Sequence, residues 1–330
     1  MHSSLIAWIL RAIPFGTIIM YGALGEIVTE KSGNLNLGVP GIMYLGGFAG
    51  FASAWAYENT AANPSGAVSV VVALTCAILA SMAGGLIYAF LTISLRANQN
   101  VTGLALTTFG MGVANFFGVF ILNGASYSAA PIANKAFSAK IPVLSTLGGF
   151  GQVVFSYGFL VYAAIALAIA LHWFLTRTRA GLNLRAVGEN PATADAAGIN
   201  VTLYKYLATC IGAGICGIGG LYYVLDYNQG IWATTGQIEA LGWLAVALVI
   251  FTTWKPLNAI WGAYLFGMLY WLYQFLPTLL GITMASHITD LVQMLPYVVT
   301  IVVLIVVSMR KKKENQPPAH LGLAYFREER

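Results

Sequence analysis

The stretch Leu184–Asn200 reads LRAVGENPATADAAGIN and forms a short polar island between long apolar runs. It carries Arg185, Glu189 and Asp195, and Pro191 breaks it near its middle. Charged side chains at this density cost too much free energy to remain in hydrocarbon, so the chain has to enter water here. The island is also too organised for a plain linker. It therefore predicts an ordered surface segment on which another protein can dock.

The composition around this island is that of an integral membrane protein. The chain has 330 residues, of which 58% are hydrophobic and 8% are charged, whereas soluble domains carry about 25% charged residues. Apolar stretches of roughly 20 residues, the length that crosses a bilayer as a helix, recur from end to end. We therefore predict an all-α polytopic membrane helix bundle, with residues 1–330 forming a single transmembrane domain.

Hydrophobic runs and polar breaks predict about nine spans, within a range of eight to ten. The first run lacks a basic leading region, so we interpret it as a mature span and not as a signal peptide. The segment from about 176 to 203 then forms a loop, and residues 310–330 form a terminal tail. The predicted spans cover residues 5–29, 37–57, 67–95, 101–123, 153–175, 204–228, 237–253, 257–280 and 289–309.

The basic residues predict the orientation. If the C-terminus lies in the cytoplasm, thirteen of the sixteen Lys and Arg residues lie there too, and the opposite orientation would reverse this bias. The N-terminus is then outside, and the chain is expected in the cytoplasmic (inner) membrane. The net charge of +5 reflects this topology and contact with lipid headgroups, and nucleic-acid binding is not expected. The residues on the cytoplasmic side are Lys31, Arg96, Arg177, Arg179, Arg185, Lys205, Lys255, Arg310, Lys311, Lys312, Lys313, Arg327 and Arg330.

Two breaks interrupt the apolar pattern. Glu30–Gly41 contains three glycines, a proline and the amides Asn34 and Asn36, and Asn228–Gly242 is similarly polar. Transporters tolerate such breaks where the freed backbone lines a cavity, and they often mark the substrate path. In the predicted topology one break enters from each side, as an inverted repeat would require. The alternative is that both are ordinary loops rich in turn-forming residues.

Signatures of chemistry within the chain are missing. No G-x-x-x-x-G-K-[ST] loop occurs, so any nucleotide hydrolysis belongs to another subunit. Gly212–Gly217 matches G-x-G-x-x-G, but it lies inside a predicted membrane helix, where close helix packing is the better interpretation. The four histidines are scattered and have no metal-ligand spacing. We expect no enzyme activity, no cofactor and no metal in this chain.

Polar groups within the spans are the candidates for a substrate path. Asp226 follows Tyr223 in a segment that mixes aromatic rings with hydrogen-bonding groups, which suits a flat polar solute, although an interfacial aromatic belt would look the same. Glu239 and Trp243 are four residues apart and share a helical face. Asn115 lies in the middle of the fourth span, either as a helix-helix contact or as pore lining. The predicted path residues are Asn34, Asn36, Asn115, Tyr223, Asp226, Glu239 and Trp243.

Two motifs carry a resemblance that covers essentially the whole chain. Ser32–Met43, SGNLNLGVPGIM, is similar to an early S-G-x-x-N-L-G-x-x-G segment, and Leu184–Asn200 is similar to a cytoplasmic loop that docks on an ATPase. Both are found in the permease subunits of bacterial ABC importers for simple sugars, nucleosides and branched-chain amino acids, and the chain resembles these permeases. The E-A-A signature of many importer permeases reads Asp195-Ala-Ala-Gly198 here, which weakens a link to the maltose-type group.

The resemblance implies a short docking helix in the loop. Asn190 would cap this helix, Pro191 would start it and Gly198 would end it. The residues expected to couple the chain to the ATPase are Arg185, Glu189, Asn190, Pro191, Asp195 and Gly198.

The resemblance also implies partners and a mechanism. An ABC ATPase subunit would bind ATP and Mg, a second permease, identical or related, would complete the pair, and an extracytoplasmic lipoprotein would deliver the small-molecule substrate. Transport would proceed by alternating access. The chain starts about one span later than ribose-type permeases, which favours a nucleoside and in particular a purine nucleoside. Two alternatives remain: a ribose- or galactose-like sugar permease, and an ion-coupled secondary transporter with Glu26, Asp226 and Glu239 as ion sites.

Overall fold

The computed structural model describes residues 2–123, 127–140, 148–233, 237–281, 286–310 and 316–327. These residues are almost entirely helical, which confirms the predicted all-α bundle. The helices are α1 (His2–Glu30), α2 (Val39–Thr60), α3 (Gly66–Ala89), α4 (Gln99–Leu122), α5 (Pro131–Phe137), α6 (Gly148–Phe155), α7 (Phe159–Arg177), α8 (Arg179–Glu189), α9 (Pro191–Ala196), α10 (Val201–Tyr222), α11 (Gln237–Phe251), α12 (Pro256–Leu280), α13 (Ser286–Gln293) and α14 (Leu295–Arg310).

Three shorter features modify this bundle. π-Helical turns extend α3 over Phe90–Ser94 and α10 over Tyr223–Tyr227. Two short strands, β1 (Ser128–Ala129) and β2 (Ile231–Trp232), pair in antiparallel register. The π-helical turns matter below because each of them lines a cavity.

Five helical stretches are long and apolar enough to cross a bilayer, so the protein is a multi-pass membrane protein. α11 is apolar but has only 15 residues. Seven of the nine predicted spans coincide with one helical stretch each, the fifth and the ninth each contain a helix break, and the count of nine stays a prediction. The five spanning stretches are Ser4–Glu30, Gly66–Ser94, Gln99–Leu122, Phe159–Arg177 and Val201–Tyr227.

One predicted boundary is wrong. The fifth span was expected to begin near residue 153, but residues 156–158 interrupt the helix and α7 begins at Phe159. The cause is a close approach at Gly158, where a Cβ atom would lie 2.1 Å from the carbonyl oxygen of Phe137 and 2.4 Å from Asp226 Oδ2. Packing of this turn against α5 takes precedence over helical continuity.

α1 and α10 cross at the centre of the bundle as an antiparallel pair. Their contact depends on glycine, because a Cβ atom on Gly25 would lie 2.3 Å from the carbonyl oxygen of Gly212. The Cys216 thiol donates to the Gly22 carbonyl at 3.3 Å. The G-x-G-x-x-G match in α10 is therefore a helix-packing surface, as small residues in membrane helices usually are.

Each helix of this pair packs on helices from the other half of the chain. α1 packs mainly on α12 and α10, and it contacts α11 far more than its own successor α2. α10 correspondingly packs on α3 and on α2. Both outer contacts are close and antiparallel, with Gly16 against Ala263 and Gly217 against Ser81. This reciprocal packing of α1 and α10 supports the inverted repeat, which stays a prediction.

Many of the predicted cytoplasmic cations lie together at one end of the bundle, which we call the basic end. Lys31, Arg185 and Lys255 lie close enough there for their charges to interact. Arg96 stacks on Phe326 of the tail, 4.5 Å from the ring centroid. Lys311, Lys312, Lys313 and Arg330 are outside the described residues. The side of the membrane that this end faces stays a prediction.

Candidate functional site

The polar island at the basic end folds as two short helices joined at Asn190. The Asn190 side chain accepts a hydrogen bond from the Thr193 N–H at 3.0 Å, and Pro191 occupies the first turn of α9. The turn ends at Gly198, whose φ of +83° is the left-handed conformation that glycine adopts at low cost. The short capped helix expected from the sequence is therefore present. Its docking role stays a prediction.

The side chains of the island divide into a packed face and an open face. Val187, Ala194 and Val201 form a small apolar cluster beneath the helices, and Pro191 is buried. Arg185, Glu189, Asn190 and Gly198 are exposed. The residues on the exposed face are polar or have small side chains, so this face is accessible to a groove on a partner.

The C-terminal tail lies across this island, which the sequence analysis missed. The His320 N–H donates to the Gly188 carbonyl at 3.0 Å, and the Gly322 N–H donates to the Gly33 carbonyl at 3.1 Å. The tail thus joins the island to the first break. A signal was present in the sequence, because the apolar run Leu321–Phe326 is unusual for a tail that stays in solution.

Asp195 is held by this tail and does not project freely. Its Oδ2 accepts from the Tyr325 hydroxyl at 3.0 Å and from Arg327 Nε at 3.1 Å. The Asp195 side chain is largely buried, whereas that of Arg327 remains largely exposed. To act on a partner, Asp195 would therefore have to leave the tail or contact the partner together with it.

The predicted path residues Asn34 and Asn36 are buried and hold the first break in shape. Asn34 Nδ2 donates to Thr209 Oγ1 of α10 at 3.1 Å. Asn36 Oδ1 accepts from the Gly38 N–H at 2.9 Å, and its own N–H donates to Glu26 Oε1 at 2.9 Å. Both amides are thus committed to contacts within the bundle in this conformation. Their place in a substrate path stays a prediction.

Glu26 and Glu30 form a buried carboxyl pair beside this break. Their side chains lie within hydrogen-bonding distance of each other on successive turns of α1. The Trp254 indole N–H donates to Glu30 Oε2, while Glu26 Oε2 has no donor among the described residues. Two buried carboxylates side by side would repel each other, and protonation of one carboxyl group would remove this repulsion. The sequence pointed to Glu26 alone.

The opposite end of the bundle, which we call the aromatic end, holds a cavity of about 460 Å³. Phe15 of α1 stacks on Tyr270 with centroids 4.1 Å apart and meets the edge of Tyr227 at 6.3 Å. Tyr223 stacks on Tyr227 at 5.8 Å. Trp271 contributes a further ring to the same wall. Phe15 and Glu30 are separated by about 22 Å along α1.

Polar groups are interspersed among these rings. The Tyr223 hydroxyl donates to Gln237 Oε1 at 2.8 Å. The Arg11 guanidinium lies 5.5 Å from the Trp271 ring, and Asn228 also lines the cavity. Stacked rings with a few amide and cationic groups form the kind of site that takes a flat polar solute.

A π-helical turn carries the predicted path residues Tyr223 and Asp226 at the aromatic end. Tyr223, Asp226 and Tyr227 lie on Tyr223–Tyr227, a π-helical segment of the kind often found at functional sites. Asp226 lines a neighbouring cavity of about 480 Å³ together with Arg11. Its Oδ2 is buried and has no hydrogen-bond partner among the described residues. Tyr223 and Asp226 are therefore brought together, each lining a cavity.

Glu239, Trp243 and Asn115 lie elsewhere. Gln237 and Leu244 of α11 face the aromatic cavity, and at 100° per residue Glu239 and Trp243 occupy the opposite face of that helix. The two share a face, as predicted, but this cavity does not support their assignment to the path. Asn115 is half-buried in α4, and its Oδ1 has no partner among the described residues.

Comparisons with known proteins give one family match and several similar relatives. The family described as branched-chain amino acid transport system / permease component matches residues 8–306. The guanosine ABC transporter permease protein NupQ of Bacillus subtilis is 33% identical over 253 residues, covering 74% of this chain and 75% of its own.

Two further relatives differ in the substrate that their names give. The nucleoside ABC transporter permease protein NupC of Lactococcus lactis is 30% identical over 292 residues, which is 88% of each chain. The putative glucose ABC transporter permease protein TsgC13 of Haloferax volcanii is 36% identical over 258 residues, covering 77% of this chain and 72% of its own.

Proposed function

Since the chain belongs to the family of branched-chain amino acid transport system permease components, and is thus an ABC transporter permease subunit and not an enzyme, we propose that it carries a nucleoside, most favourably a purine nucleoside. The carrying observation is the aromatic cavity, in which Phe15, Tyr223, Tyr227 and Tyr270 present ring faces and edges. Stacking on such rings stabilises any bound nucleobase, because every base has a flat π-face. Gln237 and Asn228 supply hydrogen bonds to its polar edge.

The proposed orientation places the basic end in the cytoplasm and the aromatic end outside the cytoplasmic membrane. An ABC ATPase, holding ATP and Mg, then docks on α8 and α9, and an extracytoplasmic lipoprotein delivers substrate to the aromatic end. A second permease, identical or related, completes the pair. α1 runs from Phe15, which lines the aromatic cavity, to Glu30 at the basic end, so movement of the docked helices reaches the cavity through one continuous element.

Alternating access follows from this arrangement. ATP binding draws the two docking surfaces together, α8 and α9 move with them, and the tail and first break move with the island through the Gly188 and Gly33 contacts. The aromatic end then closes as the basic end opens. Arg185, Glu189, Asn190, Pro191, Asp195 and Gly198 are the proposed coupling residues.

A sugar is the second candidate, and the glucose permease TsgC13 is the observation that favours it. Sugars also stack on aromatic rings, through their C–H faces, but they need many more hydrogen-bond partners than a base. The cavity wall is dominated by rings, which fits a base better. Membership of an ABC permease family decides against the ion-coupled carrier, because such permeases take their energy from a partner ATPase.

Uptake by source cells tests the proposal. Labelled guanosine and labelled glucose are supplied to cells with and without this chain, with the partner ATPase intact. We expect loss of guanosine uptake alone in cells lacking the chain. Loss of glucose uptake alone would replace the nucleoside with a sugar, and unchanged uptake of both would contradict each candidate.

A further inference from the structure

A second polar cavity lies at the basic end, beneath the tail, and the proposed function does not use it. It encloses about 460 Å³ between the end of α3, the start of α10 and the tail. Its wall includes Thr92 of the π-helical turn, Val201 and Thr202 of α10, and Tyr325. This cavity is separate from the aromatic one, which is at the other end of α10 and its π-helical extension.

The floor of this cavity is a buried ammonium group. Lys205 is only 3% exposed and lines the cavity, and its side chain makes no hydrogen bond or ion pair with any of the described residues. It also lies in the first turns of α10, where the helix dipole is positive and disfavours a cation. A buried charge without a counter-charge is strongly unfavourable. An anion in the cavity would remove both penalties.

The start of α10 adds free backbone donors. The Asn200 side chain caps the Leu203 N–H at 3.0 Å. The N–H groups of Val201 and Thr202 have no acceptor within the helix, because the first N–H groups of any helix lack one, and both residues line the cavity. Backbone donors at a helix N-terminus beside a lysine are a recurring arrangement for binding phosphate.

Two more cations stand at the rim. Arg96, with a left-handed φ of 57°, and Arg327 of the tail both line the cavity and are exposed. The one carboxylate among the residues that line the cavity is Asp195, which Arg327 already contacts at 3.1 Å. Three cations against one paired carboxylate leave a net positive cavity.

We infer that this cavity is an anion site that takes a phosphate group, with Lys205 and the α10 N-terminus as its floor and Arg96 as its rim. The group belongs either to a soluble phosphate monoester or to an anionic lipid headgroup. A bound phosphate closes the tail over α9, because Arg327 and Tyr325 hold Asp195 at the cavity edge. The site does not depend on which solute the permease carries.

Direct binding tests the inference. The full chain is placed in nanodiscs of phosphatidylcholine, and saturation is measured with labelled inorganic phosphate and labelled guanosine 5′-monophosphate. We expect saturable binding that Lys205→Gln and Arg96→Gln each weaken by roughly tenfold or more. Lys135→Gln is the matched control, because Lys135 is exposed on α5 and has no part in the cavity.

Discs containing phosphatidylglycerol identify the source of the phosphate. If soluble phosphate binding is lost in these discs and returns when the phosphatidylglycerol is diluted with phosphatidylcholine, the site belongs to a lipid headgroup. Unchanged binding assigns it to a soluble monoester. Absence of saturable binding by the native chain in phosphatidylcholine discs would overturn the inference. So would equal binding by a correctly folded Lys205→Gln chain, and Arg96→Gln repeats the test at an exposed residue in case Lys205→Gln fails to fold.

Discussion

Arg327 donates from Nε to Asp195 Oδ2 at 3.1 Å, which ties the last described residue of the tail to the predicted coupling helix α9. The Tyr325 hydroxyl donates to the same oxygen. The tail is therefore part of the proposed docking surface, and a change in α9 also affects the tail.

Asp195→Asn should loosen the tail without unfolding the bundle. The ion pair is largely exposed on the Arg327 side, so its loss costs at most about 1 kcal/mol. We expect faster amide hydrogen exchange over residues 318–327 and unchanged exchange in α1 and α10. Lys135→Gln serves as the control for a distant change of charge. Unchanged exchange in the tail would show that its other contacts, including those with Gly188 and Gly33, are sufficient to hold it.

Gly25→Ala should destabilise the α1–α10 crossing. Its Cβ atom would lie 2.3 Å from the Gly212 carbonyl oxygen, which forces the helices apart at a cost of about 1–3 kcal/mol. Gly112→Ala is the matched control, because nothing lies within 4 Å of the Cβ atom that it would add to α4. In detergent, the midpoint temperature of thermal unfolding should be much lower for Gly25→Ala than for Gly112→Ala. Equal midpoints would contradict the close packing.

The buried carboxyl pair should carry a proton at neutral pH. Infrared spectra of the native chain should contain a protonated carboxyl stretch that shifts in D2O, and Glu26→Gln should reduce its intensity because no shared proton remains. Asp290→Asn should leave the band unchanged, since Asp290 is exposed on α13 and lies outside the pair. A band that Glu26→Gln does not alter would mean that the pair does not share a proton.

Tyr227→Ala should weaken the transport of the proposed nucleoside. Loss of one stacking ring raises KM for guanosine uptake by about tenfold, while the number of transporters in the membrane stays the same. Trp173→Ala is a suitable control because this equally large ring is 62% exposed on α7, away from the cavity. A change in maximal rate alone, with KM unaltered, would argue that Tyr227 does not contact the substrate.

Local signals in the sequence predicted much of the bundle and of α9. Asn190, Pro191 and Gly198 determine a cap, a first turn and a stop through their own backbone preferences, so the short helix was predictable. The contacts of Trp254 with Glu30 and of Tyr325 with Asp195 join residues far apart in the chain, and periodicity says nothing about such pairs. The π-helical turns have no sequence signature, which is why Tyr223 and Asp226 could be named while their orientation could not.

Docking of the tail should depend on pH through His320. Burial and the nearby Lys205 charge lower the pKa of His320 below its usual 6.5 when the tail is docked. The undocked tail then binds a proton more readily, so docking is favoured above about pH 6.5 and weakens as the pH falls below it. The carboxylate beside this part of the tail is Glu189, whose Oε2 accepts from the Ala319 N–H at 3.4 Å.

Limited proteolysis of the tail between pH 7.5 and 5.0 measures this dependence. Cleavage within residues 316–327 should increase as the pH falls, and His320→Gln should remove most of the increase because glutamine does not titrate. Lys205→Gln should reduce it as well, because the lysine charge contributes to the lowered pKa. If a phosphate occupies the cavity above Lys205, its negative charge offsets the lysine, and added phosphate should then preserve docking to lower pH. Cleavage that is independent of pH in the native chain would separate His320 from the docking of the tail.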